Sequence, residues 1–155
     1  MMLPKLNLPL YSFRTRQDAD KTFIFDEIRK KFLVLTPEEW VRQNFIRYLI
    51  LEKGFPSSLM VIERGLKVNQ NPFRADLLVY DKMGAPLLVV EFKAPPVKIT
   101  QAAFDQIARY NIRFRVPYLI VSNGLEHYCC QIDFQSESYA FLKEIPAFDL
   151  IAGGG

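Results

Sequence analysis

The chain has 155 residues, half of them hydrophobic and 14% aromatic, enough to bury one full core without disulfides or a structural metal and too many for intrinsic disorder. Its net charge of +3 announces no general basic field, so affinity for an anionic partner must come from local patches. No run approaches the length of a membrane span, no signal-peptide pattern opens the chain, and no glycine-rich phosphate loop points to an NTP.

In chain order, residues 10–35 read as short extended pieces: Leu10 to Arg14, Thr22 to Phe25 and Lys31 to Leu35, separated by polar turns such as Gln17-Asp18-Ala19-Asp20. The basic cluster Arg29-Lys30-Lys31 reads as a solvated turn. A helix start follows, with Thr36 as N-cap, Pro37 in the first helical position and Glu39 three residues after the cap. Val41, Phe45, Tyr48 and Leu49 form one apolar stripe, and Gly54 stops the helix. Leu59 to Ile62 and Leu66 to Val68 suggest one strand with a kink at Gly65. Two strongly apolar strands come next, 73–80 and 87–93, joined by the hairpin turn Asp81-Lys82-Met83-Gly84.

Thr100 to about Arg113 is expected to be helical, with Ala103, Ile107 and Tyr110 on one face. Pro117 to Val121 reads as a buried strand ending at Ser122-Asn123-Gly124, and His127 to Phe134 with Tyr139 to Leu142 as a closing hairpin. The fold class is α/β (α+β): a mixed sheet flanked by helices, with extra N-terminal strands and a C-terminal hairpin. One domain is expected over residues 1–152, followed by a flexible tail, 153–155. The adjacent Cys129 and Cys130 point to opposite faces of a strand and have no zinc spacing, so both read as packing residues in a reducing cytoplasm. His127 is expected on a strand surface, with no serine or cysteine paired to it.

Chemistry concentrates where charge interrupts the two apolar strands. Glu91 and Lys93, two apart, share one face, while Val90 and Phe92 pack on the other. Asp76 lies on the preceding strand at a comparable distance from the turn, so its carboxylate can converge with that of Glu91. Charge in a core costs several kcal/mol unless it is paired or binds a metal. Mg²⁺ needs only one or two carboxylates plus waters and phosphate oxygens, which this pair supplies. Lys93 beside it would orient or deprotonate an attacking water, or stabilise charge developing on phosphorus. Taken alone, an E-x-K in a strand is commonplace and reads first as an inert buried ion pair of Lys93 with Asp76 or Glu91.

The surrounding blocks add to this pattern. Thr36-Pro37-Glu38-Glu39-Trp40-Val41-Arg42-Gln43, Arg74-Ala75-Asp76, Val90-Glu91-Phe92-Lys93-Ala94-Pro95, Gln106-Ile107-Ala108-Arg109-Tyr110-Asn111 and Val121-Ser122-Asn123-Gly124 occur in that order. Together they resemble the PD-(D/E)xK nuclease superfamily and, more narrowly, the N-terminal domain of type I restriction enzyme R proteins. Ala75 stands where the superfamily name has proline, a position that is not a ligand. The resemblance implies a restriction-endonuclease-like fold and Mg²⁺-dependent cleavage of DNA, with Mn²⁺ as a substitute ion. It implies Asp76 and Glu91 as metal ligands, the Phe92 carbonyl as a third, and Lys93 as the catalytic lysine. It also implies a helix-borne glutamate. Glu39 has a structural task in the capping box. Glu38, which could pair with Arg42 one turn on, has none that strong and lies three residues before Val41 on the sheet-facing stripe. Glu38 is therefore preferred, with Glu39 as the alternative.

Gln106 and Tyr110 match a Q-x-x-x-Y pattern of the same family and, four apart, share a helix face. They are expected to face the sheet and contact nucleic acid. Arg42, Arg109 and further arginines (Arg47, Arg113, Arg115) are expected to form a phosphate-contacting rim. DNA and other restriction-system subunits are the expected partners, with no membrane and no NTP. The alternative is a catalytically silent nucleic-acid-binding module on the same fold.

Overall fold

The computed structural model describes residues 3–68 and 71–152, and within 63–74 the backbone alone; the expected tail at 153–155 lies outside the described residues. A three-stranded antiparallel sheet opens the chain: β1 (Thr15–Asp18), β2 (Lys21–Asp26) and β3 (Lys31–Val34). The first strand begins at Thr15, not Leu10, because Thr15 to Asp18 pair with Ile24 to Lys21 and the turn shrinks to Ala19-Asp20. Arg29 is not a solvated turn residue. Its Nε bonds Asp26 at 2.7 Å, and its Nη2 lies 3.6 Å from Glu39.

The first long helix, α1 (Pro37–Lys53), forms as its caps demand. Thr36 Oγ1 accepts the Glu39 N–H at 3.0 Å, and Gly54 takes the left-handed φ of 72° that ends the helix. After a short 3₁₀ turn (Ser57–Leu59), six strands build the main sheet: β4 (Met60–Val68), β5 (Asn71–Tyr80), β6 (Pro86–Phe92), β7 (Tyr118–Ser122), β8 (His127–Asp133) and β9 (Ser138–Phe141). They lie side by side in chain order. Pairing of β4 with β5 runs through Gly65↔Arg74 without a shift of register, so the expected kink does not interrupt the ladder. The β5–β6 turn is fixed by Asp81, whose carboxylate accepts the N–H groups of Met83 and Ala85.

Among the described strands only β6 and β7 pair in parallel, which requires a crossover, supplied by α2 (Gln101–Arg113) with Thr100 as its N-cap. A short helix not anticipated from sequence, α3 (Phe148–Ile151), closes the described chain.

Strand alternation sorts the core into two clusters, one on each side of the sheet. Leu88, Val90, Phe92, Ile120 and Cys129 pack with Val41, Phe45 and Leu49 of α1 and with Phe148 of α3. Val89, Leu119, Val121 and Cys130 pack with Phe104 and Ala108 of α2. Cys129 and Cys130 therefore do face opposite sides. Burial pushes both thiols up to about 12, the mark of packing residues rather than nucleophiles.

Candidate active site

The site forms at the carboxyl end of β6, where the chain leaves the sheet for the crossover. There β6 has an antiparallel neighbour on one side and a parallel one on the other, and the ends of parallel strands are where open sheets of this kind hold ligands. Register places Leu77 opposite Val90, and continuing the same count puts Asp76 opposite Glu91. Val90 and Phe92 point into the α1 cluster, so Glu91 projects from the other side of the strand. The strands part at this point, because the Phe92 N–H bonds the Asp76 carboxylate at 2.8 Å instead of a strand carbonyl. That bond fixes one Asp76 oxygen and leaves Oδ1 toward α1.

From α1 comes Arg42, 3% exposed, whose two terminal nitrogens divide their work. Its Nη1 bonds Glu39 at 2.7 Å, while its Nη2 lies 3.7 Å from Glu38 and 3.9 Å from Asp76. Glu39 is buried and fully engaged, by Arg42, by Gln43 Nε2 at 3.0 Å and by Arg29. Glu38 keeps a half-exposed side chain, 48%, beside the Asp76–Glu91 pair. Of the two neighbouring glutamates, Glu38 is the one at the cluster.

The electrostatics follow from this crowding. The Glu91 carboxyl is pushed up to about 7, first by burial and then by Asp76, with Glu38 adding to the rise; Lys93 and Arg42 oppose it. Lys93 is half-buried, its main-chain N–H held by Ser122 O at 2.9 Å. Its ammonium forms no ion pair among the described residues. Among the described residues an inert Lys93–carboxylate pair is therefore not formed, and the cation nearest Asp76 is Arg42. Among the described residues, Asp76, Glu91 and Glu38 meet Arg42 and Lys93 at the end of β6.

The expected nucleic-acid contacts divide. Arg42 is not on a rim but inside, among three carboxylates, because the spacing of Glu39, Arg42 and Gln43 on one helix lets them satisfy one another while buried. Gln106 does not face the sheet. Phe104, Ala108 and Asn111 are the buried residues of α2, which turns Gln106 and Arg109 out to water and leaves Tyr110 38% exposed against Phe114. The helix takes this rotation because Phe104 is the larger apolar group to bury. Gln106, Arg109, Tyr110 and Arg113 form one outward stripe. Since α2 returns the chain to the start of β7, Arg113 and Arg115 lie at the opposite end of the sheet from Lys93, with Arg115 against Phe134.

Sequence reasoning also missed a contact of His127. Ser122 Oγ is 2.7 Å from His127 Nδ1, and Nε2 is 2.9 Å from the Asn7 carbonyl. A carbonyl only accepts, so Nε2 carries the proton and Nδ1 accepts from the serine. Ser122 is completely buried, so the pair is a lock on the N-terminal segment and not a nucleophile. The signal was present: a tight turn at Asn123-Gly124 sets Ser122 and His127 opposite each other.

Residues 37–146 match the family described as type I restriction enzyme R protein N terminus (HSDR_N). Among solved structures, the chain is similar to a fragment assigned as an HsdR subunit of a type I restriction enzyme from Vibrio vulnificus YJ016, with a TM-score of 0.54 at 18% identity. That likeness covers 76% of this chain but 24% of the other, so the chain spans about a quarter of that protein's length and shares its fold. No curated protein matches the sequence.

Proposed function

Since the chain belongs to the family of type I restriction enzyme R protein N termini, we propose that it is a Mg²⁺-dependent endonuclease domain that hydrolyses DNA phosphodiester bonds. The observation that carries this reading is the meeting of Asp76 and Glu91 at the end of β6, where burial and Asp76 push the Glu91 carboxyl up to about 7, beside Lys93. A hydrated divalent ion would relieve that crowding of carboxylates. Mg²⁺ keeps several waters and takes one or two carboxylates, which Asp76 and Glu91 would supply.

Asp76 and Glu91 would hold the ion, with the Phe92 carbonyl as the third protein ligand. When bound, the ion would supply Lewis-acid polarisation of the phosphate and a more acidic water. Lys93 then orients the attacking water or donates to the phosphate oxygen that gains charge. Water adds to phosphorus, one ester bond breaks, and the departing oxygen leaves as a hydroxyl once protonated. Glu38 sets the charge at the open side of the cluster, and Arg42 holds Glu38 and Asp76 in place. The outward stripe of α2, with Gln106, Arg109 and Tyr110, provides strand contacts. In a longer assembly, other restriction-system subunits would supply target choice.

A second reading is a silent nucleic-acid-binding module, favoured by one observation: Arg42 already stands between Glu38 and Asp76 as an internal counter-ion. Two measurements decide. Asp76→Ala, Glu91→Ala and Lys93→Ala should each lower Mg²⁺-dependent cleavage of plasmid DNA by about 100-fold or more with the fold intact. Calorimetry should show Mn²⁺ binding that Asp76→Asn abolishes. Full cleavage by all three variants sinks the proposal, and no metal binding by the wild-type chain favours the silent module.

A further inference from the structure

The sheet β1–β3 stands apart from this chemistry, and its outward face has its own character. Ile24, opposite Thr15 and Leu33, is completely buried, so that side lies on the molecule. The other side aligns Arg16, Phe23 and Val34 across the three strands, and Phe25 with Phe32 in the next row. Phe25 N–H bonds the Arg14 carbonyl at 2.9 Å, which adds Arg14 to that row.

Two guanidinium groups therefore sit over three half-buried phenylalanines. Arg14 lies 4.5 Å from the Phe25 ring centre and 5.4 Å from that of Phe32. Arg16 lies 4.6 Å from Phe32 and 5.4 Å from Phe23. Both arginines are exposed, and neither has a carboxylate partner among the described residues. Lys21 shares the face, and Asp18 is the only acid these strands place there.

Aliphatic lysine stems or a polar edge would suffice to cover rings against water. Here the cover leaves two full charges unneutralised, each with N–H edges suited to bidentate phosphate binding. Rings and guanidinium planes in alternation are what unpaired bases stack upon, whereas a duplex hides its base faces. We propose that this outward face binds a single strand of nucleic acid, its phosphates held by Arg14, Arg16 and Lys21 and its bases stacked over Phe23, Phe25, Phe32 and the arginines. None of these residues belongs to the candidate active site, so the inference stands apart from the cleavage reading.

The full chain in EDTA is titrated with a fluorescent oligodeoxythymidylate of about 15 nucleotides and with a duplex of the same length. The wild type should favour the single strand. Arg14→Glu/Arg16→Glu should weaken that binding about tenfold or more, and Arg14→Gln/Arg16→Gln should lower the log–log salt slope by roughly 1.4, two contacts at ~0.7 each. Phe32→Leu should weaken binding about fivefold with the slope unchanged. Asp76→Ala should bind like the wild type, so failure of cleavage and failure of this face are told apart. A wild type that ignores the strand overturns the inference, as do arginine variants of undiminished affinity. So does a sedimentation shift to monomer in the Arg→Glu pair without loss of oligonucleotide binding, which would mark the face as a contact between copies.

Discussion

The two long helices flank one sheet and bury different chemistry. On α2 the inner face is Phe104, Ala108 and Asn111, and the charged and polar residues stay in water. On α1 the buried set includes Val41, Phe45 and Leu49 but also Glu39, Arg42, Gln43 and Asn44. Bringing ions out of water costs several kcal/mol each unless they pair well, so a helix needed only for packing has no use for such a band. Arg42 carries this band to within 3.9 Å of Asp76. On the proposed reading, charge kept at a cost to stability makes α1 the side that prepares the site.

Making α1 resemble α2 breaks this comparison most directly. Arg42→Leu leaves Glu39 buried without its 2.7 Å partner, so unfolding in urea should show a loss of about 3–5 kcal/mol. Arg42→Leu/Glu39→Leu should recover most of that loss, because both ends of the pair are then gone. Arg109→Leu, on the wet face of α2, should stay within about 0.5 kcal/mol of wild type. An Arg42→Leu chain as stable as wild type would show the band to be inert.

The next effect depends on pH. Glu91 has a folded-state pKa of about 7 against an ordinary 4.5. Below about pH 4.5 the group is protonated folded or unfolded; above about pH 7 the fold holds a carboxylate that burial and Asp76 disfavour. Its stabilisation is thus present at low pH and lost as pH rises from 4.5 to 7, by up to about 3 kcal/mol. Metal-free Glu91→Gln should gain on wild type across that window and exceed it at pH 8. His127 works the other way. Burial depresses its pKa, so its stabilisation holds above 6.5 and is lost as pH falls through the folded value. Comparing variant with wild type at each pH cancels that contribution. Parallel denaturation curves for the two chains would remove the strained Glu91 carboxylate on which the metal reading stands.

How much of this was legible in the sequence depended on how local the determinant was. The Thr36 and Gly54 caps of α1, its Val41–Phe45–Leu49 stripe and the Asp81 turn are set by residues within a few positions and form as expected. The expected capping box, however, forms only by its Thr36 half, because the Glu39 carboxylate turns to Arg42 and Gln43. The opposition of Asp76 and Glu91 follows from counting outward from that turn, although the bulge at Val79/Tyr80 sits between. Distant packing was not legible. Which face α2 buries depends on the sheet beneath Phe104, and the start of β1 depends on a partner strand. The Ser122–His127–Asn7 lock joins segments far apart in the chain. The buried role of Arg42 left a trace in the spacing of Glu39, Arg42 and Gln43, but its reach to Asp76 crosses elements and left none.

The smallest expected effect separates grip from chemistry. Gln106 is exposed on α2 and makes no hydrogen bond among the described residues, so Gln106→Ala should change stability by no more than about 0.5 kcal/mol. If the outward stripe of α2 touches a DNA strand, one lost hydrogen bond of about 1 kcal/mol raises KM roughly fivefold and leaves kcat and Mn²⁺ affinity alone. Glu38→Gln, on α1, should show the converse, a lower kcat with KM little changed, because its charge acts on the reacting cluster. Equal KM effects from both variants would place the strand across α1 as well, and a Gln106→Ala chain with wild-type KM would leave α2 a packing helix.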